Sequence, residues 1–479
     1  MAEPSSWGRL PPFKKAPLPP MPGMLRALGP GVVFMALAQG SAELIFWPYT
    51  IAKYGLTFLF LLIPACLLQF PVIYEIGRYT LLTGESIFQG FIRLNRRFAF
   101  FLWILMTLSF LWFGAFAAAG GTSIAALTDF PAGWSPRGQT LFWAYATMAL
   151  FLIAILLSKV IYELIETFMW GVAIFTLVGL IWASANAEVL RVLPAFVKGL
   201  VIPEWPMPRP WDHADATKLL TAITFAGLGG FWTLFYSYWL RDKGSGMAHY
   251  AGRLTGPITG KPEAIPDSGS LPSNDEGLAH VKSWHRFMFW DIGIGVVGNM
   301  ITTLLTCLLA YALLFPKGLL PQGYEIAVVQ SRFFEVSWGG WGRILFLIVA
   351  AAFLSDTWLA TVDAVSRTHA DCVYGFFPGS HRIPYRKWYL IFLLLLTIVT
   401  GVTVQMNEPG TLILISAVIG FVGTVIYSVA LILLNHVYLA RHLPSAAKPG
   451  RLSLFFIVIS CIAYVILATL YVLALLQVT

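Results

Sequence analysis

The stretch Ala38-Gln39-Gly40-Ser41-Ala42-Glu43-Leu44-Ile45-Phe46-Trp47-Pro48-Tyr49 lies inside an apolar run. At a constant offset of 189 residues it is answered by Gly227-Leu228-Gly229-Gly230-Phe231-Trp232-Thr233-Leu234-Phe235-Tyr236-Ser237-Tyr238. Gly40 then matches Gly229, Ile45 matches Leu234, Phe46 matches Phe235 and Tyr49 matches Tyr238. Small residues at mid-span commonly let membrane helices pack closely. Here Gly29-Pro30-Gly31 also weakens the start of the first run, and Gly40-Ser41 and Gly229-Gly230 fall near the two centres. The pattern predicts two spans that unwind at mid-membrane, where freed carbonyls and amides are tolerated only around a polar cavity or a bound substrate. Helix ends facing such a cavity would add partial charges of both signs.

Outward from these stretches, the rest of the chain reads as an all-α membrane protein. It has 479 residues, 58% of them hydrophobic and 11% charged, with mean hydropathy +0.75. That is too much apolar surface for soluble cores, so a lipid bilayer must cover much of it. The 18 Trp, 18 Tyr and 36 Phe suit two membrane interfaces. Eleven runs are long enough to span, near 29–54, 56–80, 98–127, 139–157, 161–184, 216–240, 287–314, 342–365, 388–406, 409–436 and 453–477. The two repeated stretches open two five-span halves, residues 29–184 and 216–436, which makes the second half an inverted repeat of the first. Residues 1–28 form an N-terminal segment, and 437–479 a loop and the eleventh span. Residues 185–215, with Pro203, Pro206, Pro208 and Pro210, are expected to be an extended external loop. Residues 241–286, containing Gly269-Ser270-Leu271-Pro272-Ser273, are expected to be a flexible cytoplasmic loop.

The net charge of +8 is distributed as topology-setting charge rather than as a nucleic-acid footprint. With the N-terminus cytoplasmic, 22 of the 31 basic residues fall inside and 9 outside, among the inside set Arg78, Arg93, Arg96, Arg97, Arg382, Arg386 and Lys387. The expected setting is the plasma (inner) membrane, with a monomeric transport unit and no nucleic-acid partner. Residues 1–24 show no signal-peptide pattern. Cys66, Cys307 and Cys461 lie in apolar runs and Cys372 in a basic segment, with no disulfide framework. No Walker loop, H-E-x-x-H, G-x-S-x-G or metal-enzyme cluster occurs, so neither an enzyme nor a resident cofactor is expected.

Several of these residues resemble the Nramp divalent metal transporter family. The resemblance is carried by Gly29-Pro30-Gly31, the length to Tyr54-Gly55, Leu67-Leu68-Gln69, Thr83-Gly84, Glu166, and Ala226 with Ser237. It implies a leucine-transporter type fold with broken helices 1 and 6, and a divalent metal as substrate rather than cofactor. The chain departs from that family where the metal is held. Counted from Gly29-Pro30-Gly31, the family's Asp-Pro-Gly-Asn falls on Gly40-Ser41-Ala42-Glu43, and its Met-Pro-His on Gly229-Gly230-Phe231. The soft thioether is gone, and the third span holds no ionisable residue between Phe98 and Leu127.

Glu43 is the sharpest candidate ligand, because a carboxylate at mid-membrane is costly unless paired or wetted. Gln39, Gly40, Ala226, Gly227 and Gly229 complete the predicted substrate site through side-chain and backbone oxygens. One carboxylate with carbonyls and water suits a hard cation such as Mg²⁺ or Mn²⁺. It also suits an organic ammonium beside Phe46, Phe231 and Trp232. Ser355, Asp356 and Thr357 are candidates for proton or sodium coupling, with Asp291 and Asn299 behind them. Asp363, Glu163 and Glu166 read as solvated partners of Lys159 or Arg367. Three functions stay open: a divalent-cation transporter, a transporter of an organic cation or amino acid on the same fold, and a non-transporting receptor or scaffold.

Overall fold

The computed structural model describes residues 10–476 apart from 41–43, 228, 264, 266–267 and 274. Among the described residues, ten helices are long and apolar enough to cross a membrane: Leu59–Thr83, Arg96–Thr128, Pro136–Leu157, Ile161–Ser184, His213–Lys243, Leu278–Lys317, Arg332–Phe376, Tyr385–Thr403, Pro409–Arg441 and Ser445–Leu476. We number these spans two to eleven. Span one is described as two helices, Pro30–Ala38 and Leu44–Tyr54, with residues 41–43 between them outside the described residues. Each piece covers about half of a ~30 Å hydrocarbon core at 1.5 Å per residue. Pro48 lies inside the second helix and has no N–H to donate to the Leu44 carbonyl one turn back.

Span six is interrupted at the matching place. The helix Ala216–Phe225 stops, and Gly230–Phe235 follows in tight 3-10 turns before Tyr236–Lys243 resumes the α-helix. Gly227 has φ +90°, a conformation closed to most side chains and incompatible with a right-handed helix. The predicted interruption of span six is therefore present, and that of span one falls on residues 41–43, outside the described residues.

The two broken spans run antiparallel, as their end contacts show. The C-terminal end of span one meets the start of span six: Asp215 accepts from Lys53 at 2.6 Å, Lys218 at 2.7 Å and Tyr54 at 2.8 Å. At the other face the start of span one meets the second half of span six through Asp291 of span seven. That buried carboxylate accepts from the Gly29 and Gly31 amides at 3.1 and 2.7 Å and from the Tyr236 hydroxyl at 2.8 Å. These amides belong to the first turn of a helix, which has no internal acceptor for them.

Charged residues also join the segments on the N-terminal face. Arg241 pairs with Asp371 at 3.1 Å, and Tyr385 donates to the same carboxylate at 2.7 Å. Arg367 lies between Asp242 and Asp363, the latter at 2.8 Å. The Asp363–Arg367 pair is the one expected, but it is fully buried rather than solvated, because span eight runs on to Phe376 instead of ending near 365. That extension also places Cys372 inside a helix. Glu166 and Glu163 pair with Lys243 and Arg253, not with Lys159.

Two loops carry more structure than their composition implies. Ser270–Pro272 pairs in parallel with Lys14–Ala16, and Tyr250 and Trp284 donate to the Pro17 and Pro19 carbonyls at 3.0 and 2.7 Å. Gly, Pro and Ser weaken helices, but their backbone groups are free to pair with another extended segment, here residues 14–19. In the 185–215 loop, Ala187–Leu190 and Leu193–Gly199 are helical. Only the part holding Pro203, Pro206, Pro208 and Pro210 is non-helical, as proline dictates.

The Asp291 bridge is testable. Asp291→Asn leaves the Gly29 or Gly31 amide without its carboxylate, and should lower unfolding stability by about 2–3 kcal/mol. A thermal unfolding midpoint in detergent unchanged from wild type would contradict that role.

Candidate functional site

The last described residues before the break in span one are Gln39 and Gly40. Gln39 is fully buried. Its Nε2 donates to Thr302 Oγ1 of span seven at 2.9 Å, and Thr302 donates its own proton to the Gly298 carbonyl at 3.0 Å. With that proton committed, Thr302 offers Gln39 only lone pairs, which fixes the nitrogen of the carboxamide toward Thr302. Gln39 Oε1 is left buried, with no hydrogen bond among the described residues.

Gly40 lies directly against span eight. A Cβ there would come 1.7 Å from the Phe353 carbonyl oxygen and 2.3 Å from Thr357 Oγ1. The aspartate that the Nramp pattern has at this position therefore has no room here. Thr357 Oγ1 sits 3.4 Å from the carbonyls of Leu37 and Phe353 and 3.4 Å from Asp356 Oδ1. Asp356 is fully buried, and its Oδ2 has no hydrogen bond among the described residues. Ser355 and Thr357 point about 200° apart around the helix. Thr357 meets span one, while Ser355 meets span three, where a Cβ on Gly120 would come 2.0 Å from Ser355 Oγ. Gly121 also packs closely, against the Thr140 carbonyl of span four, where a Cβ would come within 2.6 Å.

The break in span six is organised by a residue of span two. Ala226 closes the first half, its amide donating to Ala222 at 3.1 Å. Gln69 donates Nε2 to the Thr224 carbonyl at 3.1 Å, and Gly229 packs on that same oxygen, where a Cβ would come within 1.8 Å. Gln69 Oε1 and Thr224 Oγ1 are both buried without a hydrogen bond among the described residues. Neither residue was assigned to the site from sequence. The available signal was Gln69 itself, an amide in the middle of the apolar helix Leu62–Thr83.

The predicted cavity aromatics go to separate neighbours. Trp232 donates Nε1 to Thr361 of span eight at 2.9 Å, and its ring stands edge-on to Phe110, Phe116 and Phe225. Phe231 faces span ten, 6.0 Å from the Tyr427 ring. Phe46 is buried, as is Trp47, whose Nε1 has no acceptor among the described residues. Asp291 is drawn to the start of span one, and Asn299 is buried in span seven, its carbonyl accepting from Thr303 at 3.0 Å. Glu43 lies outside the described residues. Among the described residues no group of three or more His, Cys, Asp and Glu side chains converges as metal ligands. The buried oxygens without a hydrogen bond among the described residues include the neutral Gln39 Oε1, Gln69 Oε1 and Thr224 Oγ1 and the carboxylate oxygen Asp356 Oδ2 of span eight. Leaving each such group unsatisfied costs about 1–3 kcal/mol.

The close approach at Gly40 has a direct test. Gly40→Ala should lose about 1–3 kcal/mol of stability by overpacking. Gly171→Ala in span five, with nothing within 4 Å of the added carbon, should not. Equal melting temperatures for the two variants would refute the contact.

No family model matches the chain. An uncharacterized protein of Pasteurella multocida (strain Pm70) is 22% identical over 350 residues, covering 72% of this chain and 70% of that protein. Among solved structures, a manganese transporter of Eremococcus coleocola, in complex with an aromatic bis-isothiourea substituted compound, is similar with TM-score 0.62 and 14% identity, over 95% of this chain and 88% of that one. Mhp1, a nucleobase-cation-symport-1 family transporter with bromovinylhydantoin bound, gives TM-score 0.55 at 11% identity, over 94% and 92% of the two chains. MhsT in complex with L-phenylalanine gives 0.54 at 14%, over 92% and 98%. The chain is a multi-pass integral membrane protein with the leucine-transporter type fold. At such identities the likeness extends to the backbone, not to the ligands.

Proposed function

We propose that this chain is a secondary transporter of a divalent cation, a hard ion such as Mg²⁺ or Mn²⁺, working by alternating access between its two halves. The observation that carries this reading is the chemistry of the unsatisfied atoms around the breaks. Gln39 Oε1, Gln69 Oε1 and Asp356 Oδ2 can accept hydrogen bonds or ligate a cation, and Thr224 Oγ1 can do the same. A cation, not an anion, satisfies such a set. Oxygen-only ligation suits a hard ion, in keeping with the absence of a thioether at Gly229. Glu43, Gln39 and Gly40 on span one, with Ala226, Gly227 and Gly229 on span six, form the proposed substrate site. Asp356, with Ser355 and Thr357, is the proposed seat of proton or sodium coupling. The Lys and Arg distribution supports a cytoplasmic N-terminus.

A second reading, transport of an amino acid or organic cation, is favoured by one atom. The buried Trp47 Nε1–H is a donor in the second half of span one, and a donor suits a substrate carboxylate.

Purified protein in liposomes distinguishes them. Mg²⁺ or Mn²⁺ uptake should be measurable and should fall on the order of tenfold or more in Glu43→Ala. Uptake of either ion that survives this substitution sinks the metal reading at this site. Uptake of an amino acid or amine, with neither ion moved, selects the second.

A further inference from the structure

We propose that Gln69 of span two and Thr224 of span six are substrate ligands, and that Gln69 sets how tightly the cation is held. This rests on the cation-transport reading and extends it to a span that the sequence pattern left out of the site.

The orientation of Gln69 follows from its partner. The Thr224 oxygen is a backbone carbonyl and can only accept, so the amide nitrogen of Gln69 must face it. The carboxamide oxygen is thereby turned away from the helix end it caps. It is held there, because Gln69 is 1% exposed and its stem is packed: a Cβ on Gly227 would come 3.3 Å from Gln69 Cγ. Thr224, 2% exposed, brings a second unsatisfied oxygen one residue from the end of the same half-helix.

The two oxygens are neutral and differ in kind, one amide and one hydroxyl. Neutral oxygens of this type, backbone and side-chain carbonyls in particular, are ordinary ligands of hard divalent ions and reduce the number of carboxylates required. A buried amide oxygen also keeps its ligand character across the physiological pH range, since it has no proton to lose. Gln69 therefore couples two tasks. Its nitrogen satisfies the carbonyl that the break in span six has freed, and its oxygen is the atom left to ligate the cation.

The two tasks are separable by substitution. Gln69→Leu removes both. Gln69→Glu removes the N–H that caps Thr224 but keeps an oxygen for the cation. In liposomes carrying the full chain, with Mn²⁺ and Mg²⁺ as the probes, Gln69→Leu should raise KM on the order of tenfold. Gln69→Glu should return KM to within about threefold of wild type. Should Gln69→Leu fail to assemble, Thr224→Val, nearly the same in shape, should show a raised KM with an unchanged melting temperature. Wild-type KM in an assembled Gln69→Leu or Thr224→Val protein overturns the proposal. So does a Gln69→Glu variant as impaired as Gln69→Leu, which would reduce Gln69 to a helix cap. A wild-type protein that moves neither ion overturns the cation reading itself, and this inference with it.

Discussion

Inside a bilayer, a helix that stops must find partners within the protein for every amide and carbonyl it frees, because lipid supplies none. The first helix of span six stops at Phe225 and the first helix of span one starts at Pro30, and much of the packing around them meets that demand. Span seven brings Asp291 to the amides of Gly29 and Gly31. Span two brings Gln69 to the carbonyl of Thr224. Span eight presses the Phe353 carbonyl and Thr357 against Gly40, a contact only glycine permits. Span ten reaches the same region from another side, Tyr427 donating to the Gly230 carbonyl at 2.6 Å.

Around these contacts several buried side-chain oxygens have no hydrogen bond among the described residues. Gln39 and Gln69 each spend a nitrogen on a structural partner and retain an oxygen. Asp356 retains one carboxylate oxygen in a fully buried position. Under the cation reading, these retained oxygens would supply ligands without a cluster of carboxylates. With Gly40 closed against span eight, no aspartate could enter from that position.

Charge is concentrated toward the two ends of the broken spans. Asp215 with Lys53 and Lys218 joins them at one face, and the Arg241–Asp371 and Arg367–Asp242–Asp363 pairs join spans six and eight at the other. Losing one member of a buried pair costs about 3–5 kcal/mol. Under the transport reading, these are the contacts that opening toward either side must exchange.

The sequence alone determined the membrane class, the near-complete set of spans, the interruption of span six and the antiparallel run of spans one and six. Those follow from composition, run length and the placement of Gly and Pro, which act locally. It also pointed to Gln39, Gly40 and Asp356 as residues in unusual places. Only the tertiary structure decided what each one faces. It made Asp291 the cap of span one, set Phe231 against Tyr427 and Trp232 against Thr361, buried Asp363 with Arg367, and paired Ser270–Pro272 with Lys14–Ala16. Above all it brought Gln69 from span two to the break in span six. That meeting spans 155 positions in the chain, and its hydrogen-bond direction depends on a backbone carbonyl. Neither periodicity nor local propensity carries information about such a contact, because its energy exists only once distant helices have packed.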